Sequence, residues 1–493
     1  MSFSKLMSMQ LYACDPYVVD VEVDISVGLN SFSIVGLPDK AVEEAKDRIS
    51  AAIKNSGFTS PKSKNQKIVI SLAPAELRKE GVHFDLAMAL AYLLAVGDIQ
   101  FEPISKIFIG QLSLDGTVRS VKGVLSYVIK AKKNGINEIY IPYDNKTEVT
   151  FIDGIKIFPV KHLSDLVGHF DKKILKKVTP LKNEVYHPVK IKIEVNFNEV
   201  KGQSVAKRAL ELAAVGRHNI MMYGPPGTGK TMLARAFVSI LPELDFDETL
   251  EVTALHSCLG SISEVITHPP FRAPHHGASS TAMVGGGSYP RPGEVTLAHK
   301  GVLFMDEFPE FDMRVIDALR QPLEDKKVKI SRARSSVIFP SDFILLGSMN
   351  PCPCGFKGSI IKPCICSYAV IQRYQRKISG PIIDRIDMWV EVSEINYEKL
   401  GGIQEEESTE TISQRVKKAR NRQKIVKNGV ESNLLSSPCR DLLNTSAKKL
   451  HLSARVYKKI ILLARTIADL DDSEEIHEKH ILEAMQYRPK IFS

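Results

Sequence analysis

Residues 224–231 read GPPGTGKT, with the apolar run NIMMY before them and the amphipathic run TMLARAFVSIL after them. A glycine-rich turn between a strand and a helix can wrap backbone N–H groups around phosphate oxygens, and the helix N-terminus favours negative charge at the same spot. Strand, turn and helix in that order demand an α/β sheet with the turn at a strand's C-terminal end. Gly224, Pro225, Pro226, Gly227, Thr228 and Gly229 supply the cradle. Lys230 is expected to reach the β- and γ-phosphates of a nucleoside triphosphate, and Thr231 to ligate Mg2+. Downstream, GVLFMDE (301–307) ends an apolar strand on two carboxylates. Asp306 suits the Mg2+ shell, and Glu307 suits the orientation of an attacking water. The next strand, DFILLGSMN, ends on Asn350, beside the γ-phosphate if it neighbours the strand carrying Asp306. Then SGPIIDRID (379–387) presents Arg385, a candidate for a guanidinium lent across a subunit boundary.

The rest of the chain organises around this motif. Residues 1–170 alternate short apolar strands with amphipathic helices, the pattern of a separate α/β domain. Residues 171–195 carry seven lysines and two prolines and read as a basic, solvated linker. Strand and helix alternate again over 196–398, which predicts a parallel sheet flanked by helices. Strand signals vanish from 405 to 493, leaving helical stretches at 411–428, 438–445, 453–468 and 474–487. The start of the chain shows no basic segment followed by an apolar run, so no signal peptide is expected. The most apolar stretch, LAMALAYLLAVG (86–97), falls short of the roughly 20 residues that a bilayer requires and predicts a buried helix. The expectation is a cytoplasmic protein with no membrane contact, in which structural disulfides are disfavoured.

Four of the seven cysteines crowd into NPCPCGFKGSIIKPCICS (350–367), as Cys352, Cys354, Cys364 and Cys366. Four thiolates can close a tetrahedral Zn2+ site that staples a loop too polar to hold itself. A redox pair and plain reduced thiols are the alternatives, because the spacing is not the usual C-x2-C. Cys14, Cys258 and Cys439 read as incidental or core residues. The segment KKVKISRARSSVIFPSDF (326–343) alternates like a hairpin and bears Lys329, Arg332 and Arg334, which could grip a phosphate backbone or simply face water. The run 414–429 has the same two readings. The segment RAPHHGASSTAMVGGGSYPRPGE is expected to be a long mobile insertion, with His275 and His276 in polar contacts rather than on a metal. The net charge of +9 permits nucleic acid as a partner without requiring it.

Taken together, VEVDISVGLNSFSIVGLPD, NFNEVKGQ, GPPGTGKT, FRAPHHGASSTAMVGGG, RPGEVTLAHKGVLFMDE, NPCPCG, SGPIIDRID and LSARVYKKIILLARTIADL resemble an AAA+ ATPase, and more narrowly the Mg-chelatase-like YifB/ComM family. The resemblance covers nearly the whole chain. It implies ATP and Mg2+ as cofactors and a homo-oligomeric ring, a hexamer, with Asn350 as sensor 1, Arg385 as a finger acting in trans, and Arg455 of LSAR as sensor 2, in cis or in trans. It implies DNA translocation or branch migration on recombination intermediates, with the hairpin facing a central pore. The alternative is a protein-remodelling motor of magnesium-chelatase type. The first 170 residues resemble the proteolytic domain of Lon, but His83 stands at the nucleophilic serine's place and Leu125 at the lysine's. A Ser–Lys dyad cannot be built from those side chains, so peptidase activity is not expected.

Overall fold

The computed structural model describes residues 3–170, 177–184, 195–260, 265–287, 290–332, 335–359, 362–394, 407–427 and 435–489. The chain divides into two compact units, Met1–His187 with Thr249–Ile266, and Pro188–Glu248 with Thr267–Ser493.

The first unit is built on a mixed seven-stranded sheet. Its order is Ser31–Val35, Gln66–Ala73, Asp15–Val27, Phe3–Tyr12, Lys106–Phe108, Glu138–Pro142 and Lys156–Val160. Alternating burial along Gln66–Ala73 puts Ile68, Ile70 and Leu72 on one face, as period-2 patterning demands. The apolar stretch at 86–97 forms the helix Asp85–Val96, which is hydrophobic nearly all round and accordingly buried. Among the described residues no helix is long and apolar enough to cross a membrane.

Two expectations need correcting here. The described part of the supposed tether is docked: Leu181 N–H donates to the Ile157 carbonyl (2.8 Å) and Glu184 N–H to that of Thr150 (3.0 Å). Val178 and Leu181 pack on the apolar core, which a solvated linker would not do. The remainder, 171–176 and 185–194, lies outside the described residues. Second, Thr249–Ile266 leaves the motif-bearing unit and joins the first one. Leu250, Ala254 and Val265 pack beside Val124, Leu125 and Val128, and Ser257 Oγ donates to Glu148 Oε2 (2.7 Å). Its helical periodicity gives no hint of which core receives its apolar face.

The second unit carries a five-stranded parallel sheet in the order Phe271–Arg272, Val302–Met305, Ile344–Met349, Ile220–Tyr223 and Met388–Glu391. The four longer strands are apolar and almost wholly buried, as strands covered on both faces must be. Beyond it come the helices Thr409–Lys427, Ser437–Lys449, Ala454–Leu470 and Glu478–Gln486, close to the expected bounds. Ser453 caps the third of these by accepting from Val456 N–H (3.3 Å). Ile460, Leu463, Ala464, Ile467 and Ala468 then form its buried stripe at helical spacing.

Candidate nucleotide site

The strand Ile220–Tyr223 lies between the strands ending in Met349 and Glu391, so the turn after it opens at the sheet's C-terminal edge. Gly227 (φ 79°) and Gly229 (φ 88°) take left-handed backbone conformations that a side chain would oppose. They let the turn curl before the helix Lys230–Phe237 begins. Lys230 folds back over this turn, its Nζ donating to the carbonyls of Gly224 and Pro225 (both 2.7 Å) and to Asn350 Oδ1 (3.3 Å). Burial depresses its pKa to about 8, against the opposing pull of Asp306 and Glu307.

Val302–Met305 pairs directly with Ile344–Met349, which meets the condition for Asn350 to stand near Asp306. Thr231 Oγ1 donates to Asp306 Oδ2 (2.8 Å). This hydroxyl–carboxylate pair is the hard-oxygen donor set that Mg2+ prefers. Asp306 Oδ1 accepts from Glu307 N–H (3.1 Å) and from the Ser348 hydroxyl, whose oxygen also accepts from Glu307 N–H (3.2 Å). Glu307 itself sits at φ 51°, a left-handed conformation in a non-glycine residue, and its side chain is more than half exposed. That backbone turn is held by Ser348, through the Glu307 N–H. Such local strain is tolerated where chemistry needs a particular orientation.

Two residues here are not legible in the sequence. Ser348 lies inside an apolar strand and reads there as filler. His276, expected to make only polar contacts, places Nδ1 3.9 Å from Glu307 Oε2. Its segment is more structured than the mobile insertion expected. Arg272 makes a two-point ion pair with Glu294 (2.6 and 2.8 Å), and Ser279 caps a short helix, Ser280–Val284, whose Met283 is fully buried.

Arg385 and Arg455 stand apart from this cluster. Arg385 donates to the carbonyls of Arg320 (3.1 Å) and Pro381 (2.7 Å) and pairs with Glu324; Arg455 approaches the same Glu324 carboxylate (3.3 Å). Those two guanidinium groups hold the Glu324 carboxyl below the usual range, Arg385 contributing most. Within one chain their contacts are with each other's partner, not with Lys230 or Asp306.

The hairpin is present, Lys327–Arg332 pairing antiparallel with Ser335–Pro340. Val328 and Ile330 are buried while Lys327 and Lys329 are exposed, so the alternation sends the lysines to solvent. Only the backbone of Arg332 is described, and Arg334 lies outside the described residues. In the run 414–429, by contrast, Arg415 pairs with Glu211 and Glu407, and Lys418 and Arg422 pair with Asp472, so these cations already have partners within the unit.

The four clustered cysteines converge, every Sγ lying within 4.8 Å of the other three. In the first unit, Cys14 sits in a two-residue hairpin turn with φ 68° and shares a hydrogen bond with the Cys258 thiol, which also lies 3.6 Å from Ser126 Oγ. Their separation in the chain gives no sign of this pairing. At the Lon-like positions, His83 is enclosed and kept neutral by burial, its pKa lowered to about 4, and Leu125 is fully buried.

Comparison with known proteins extends over nearly the whole chain. The family model described as magnesium chelatase, subunit ChlI, matches residues 196–400; that of subunit ChlI of Mg-chelatase matches 21–145; that of the subunit ChlI C-terminal region matches 406–488. Protein YifB of Escherichia coli strain K12 is 38% identical over 490 residues, 95% of this chain and 94% of its own. Competence protein ComM of Haemophilus influenzae is 37% identical over 495 residues, 96% of this chain and 95% of its own. The magnesium-chelatase 67 kDa subunit of Chlorobaculum parvum is 30% identical over 169 residues, 32% of this chain and 23% of its own.

Proposed function

Because the chain belongs to the YifB/ComM family of magnesium-chelatase-like AAA+ proteins, we propose that it hydrolyses ATP and spends the energy on moving along DNA, including branch migration of recombination intermediates. The observation that carries the first half is the convergence of Lys230, Thr231, Asp306, Glu307 and Asn350 at one edge of the parallel sheet. Thr231 and Asp306 would hold Mg2+, which neutralises charge on the β- and γ-phosphate oxygens. Lys230 carries positive charge to the same oxygens, and Asn350 Oδ1 helps to aim it. Glu307 orients the attacking water and accepts its proton at a carboxylate oxygen. Arg385 would complete the site of a neighbouring subunit in a homo-hexamer, stabilising the charge that develops on the γ-phosphate, and Arg455, in cis or in trans, would act on the same phosphate as sensor 2.

The pKa of Lys230 gives this reading a pH signature. Bound phosphates raise that pKa above about 8, so the ammonium is retained in the complex where the free chain has begun to lose it. ATP affinity should be flat below pH 8 and weaken above it, by at most about tenfold per pH unit, with a proton taken up on binding. Calorimetry at pH 9 in two buffers of different ionisation heat measures that uptake. An affinity unchanged to pH 9.5 with no proton uptake would show that Lys230 does not gain its proton on meeting the phosphates.

The second half rests on the hairpin, whose exposed lysines can follow a phosphate backbone without reading sequence, and on kinship with a protein named for competence. ATPase rate is to be measured alone, with single-stranded DNA and with a four-way junction. Strong stimulation is expected, and the triple change of Lys329, Arg332 and Arg334 to Ala should abolish it while basal turnover stays within about twofold. Loss of three phosphate contacts should also flatten the plot of log affinity against log salt by about 2 on single-stranded DNA. No stimulation of an assembled, ATP-competent protein would favour the remodelling of a protein partner, the role that kinship with a magnesium-chelatase subunit raises.

A further inference from the structure

The loop that follows Asn350 has neither helix nor strand among its described residues until Tyr368, yet it lies against the nucleotide turn. Gly355 (φ 85°) makes the contact: a Cβ there would stand 2.7 Å from Pro226 Cδ and 3.9 Å from Asn350 Cγ. Both a left-handed backbone and the absence of a side chain are therefore needed at this residue. Pro226 belongs to the phosphate cradle and Asn350 shares a hydrogen bond with Lys230. A floppy loop would not keep so close an approach.

The four cysteines flank this contact. Cys352 Sγ lies 3.3 Å from Cys354 Sγ and 3.6 Å from Cys364 Sγ, and Cys354 Sγ lies 3.6 Å from Cys364 Sγ. Cys366 Sγ completes the group within 4.8 Å. Disulfide bonding would bring paired sulfurs to about 2.05 Å, and all four thiols are free. Four thiolates around one Zn2+ at about 2.3 Å stand about 3.8 Å apart at the corners of a tetrahedron. The observed spacings cluster near that value. The loop also supplies the outer partners that such sites use to orient a sulfur, since Lys357 N–H donates to Cys352 Sγ (3.3 Å). Cys352 is fully buried, so one corner of the group is anchored in the fold.

We infer that Cys352, Cys354, Cys364 and Cys366 bind one structural Zn2+, and that this metal holds Gly355 against Pro226 and Asn350, so that loading of the metal sets the affinity for nucleotide. The four ligands leave no open coordination position, which makes the ion a staple rather than a catalyst. Its binding releases the thiol protons to solvent and changes no oxidation state. The dependence of nucleotide affinity on the metal rests on the ATP-binding reading above; the metal site itself does not.

Two measurements on the full-length protein separate these. Mass-spectrometric metal analysis after purification in metal-free buffer should give one zinc per chain, lost when all four thiols are titrated with an organomercurial. Replacement by Co2+ should give the intense near-ultraviolet charge-transfer band of a tetrahedral site made of four thiolates. Substoichiometric metal with four freely reactive thiols, or iron in place of zinc, would overturn the site. ATP affinity is then measured on the protein before and after chelator treatment and after re-addition of zinc. A loss of about tenfold or more that zinc restores is expected. The Gly355→Ala variant keeps every thiol, so it should retain zinc and still weaken ATP binding by a similar factor. Unchanged affinity in both the zinc-free protein and Gly355→Ala would overturn the coupling and leave the metal count standing. If the zinc-loaded protein binds no ATP at all, the nucleotide reading fails, the coupling fails with it, and the metal count still decides the site.

Discussion

The Glu307→Gln protein should bind ATP as tightly as the original chain and hydrolyse it about 100- to 10,000-fold more slowly, the range that a positioned general base contributes. The substitution keeps size and shape while removing the group able to take a proton from water. No hydrogen bond described in the phosphate cradle uses the Glu307 carboxylate: Lys230 is held by Gly224, Pro225 and Asn350, and Thr231 by Asp306. Ser348 and Asp306 accept from the Glu307 backbone N–H, which the substitution leaves in place. Affinity and turnover should therefore separate cleanly, with an unchanged Kd and a collapsed kcat. Turnover within about threefold of normal would show that Glu307 does not handle the water, and the neighbouring His276 would become the residue to test.

Arg385→Ala should cost roughly 10^3- to 10^5-fold in turnover if the guanidinium stabilises the transition state from a neighbouring subunit. Its contacts within one chain are with Glu324, Arg320 and Pro381, and with none of the residues around Lys230. That separation makes a mixing experiment decisive. Arg385→Ala subunits keep a sound phosphate cradle and Glu307; Glu307→Gln subunits keep the arginine. Where an Arg385→Ala cradle meets an arginine from a Glu307→Gln neighbour, an intact site forms. Two nearly inactive preparations should therefore recover a substantial fraction of the original rate when mixed and allowed to reassemble. If the arginine serves its own chain, no combination contains a complete site and the mixture stays inactive.

What the sequence makes legible is whatever is local. The strand, turn and helix around GPPGTGKT are contiguous, so one window contains the whole device. Asp306 and Asn350 can be placed because each ends an apolar strand, and a parallel sheet brings the ends of its strands to one edge. The helices at the C-terminal end are readable because each carries its own buried stripe and, in the case of Ser453, its own cap. Contacts across loops are not readable. His276 meets Glu307 from a segment rich in glycine and proline, whose path no periodicity reveals. Cys14 and Cys258 meet because Thr249–Ile266 joins the first core although the sequence around it belongs to the second, and nothing in its spacing says so. The docked residues Val178 and Leu181 are hidden among lysines, whose charge dominates any reading of that stretch.

Glu324 belongs to the short helix Arg320–Asp325, and the basic hairpin begins at Lys327, only three residues later. The same helix gives its Arg320 carbonyl to Arg385, while its Glu324 engages both Arg385 and Arg455. In the proposed ring a γ-phosphate would compete with this one exposed carboxylate for the two guanidinium groups. Drawn away together, they would cost the helix two of its tethers. The hairpin follows that helix directly, so in the proposed ring the presence or loss of a single phosphate would be felt at the hairpin's root, three residues of chain away.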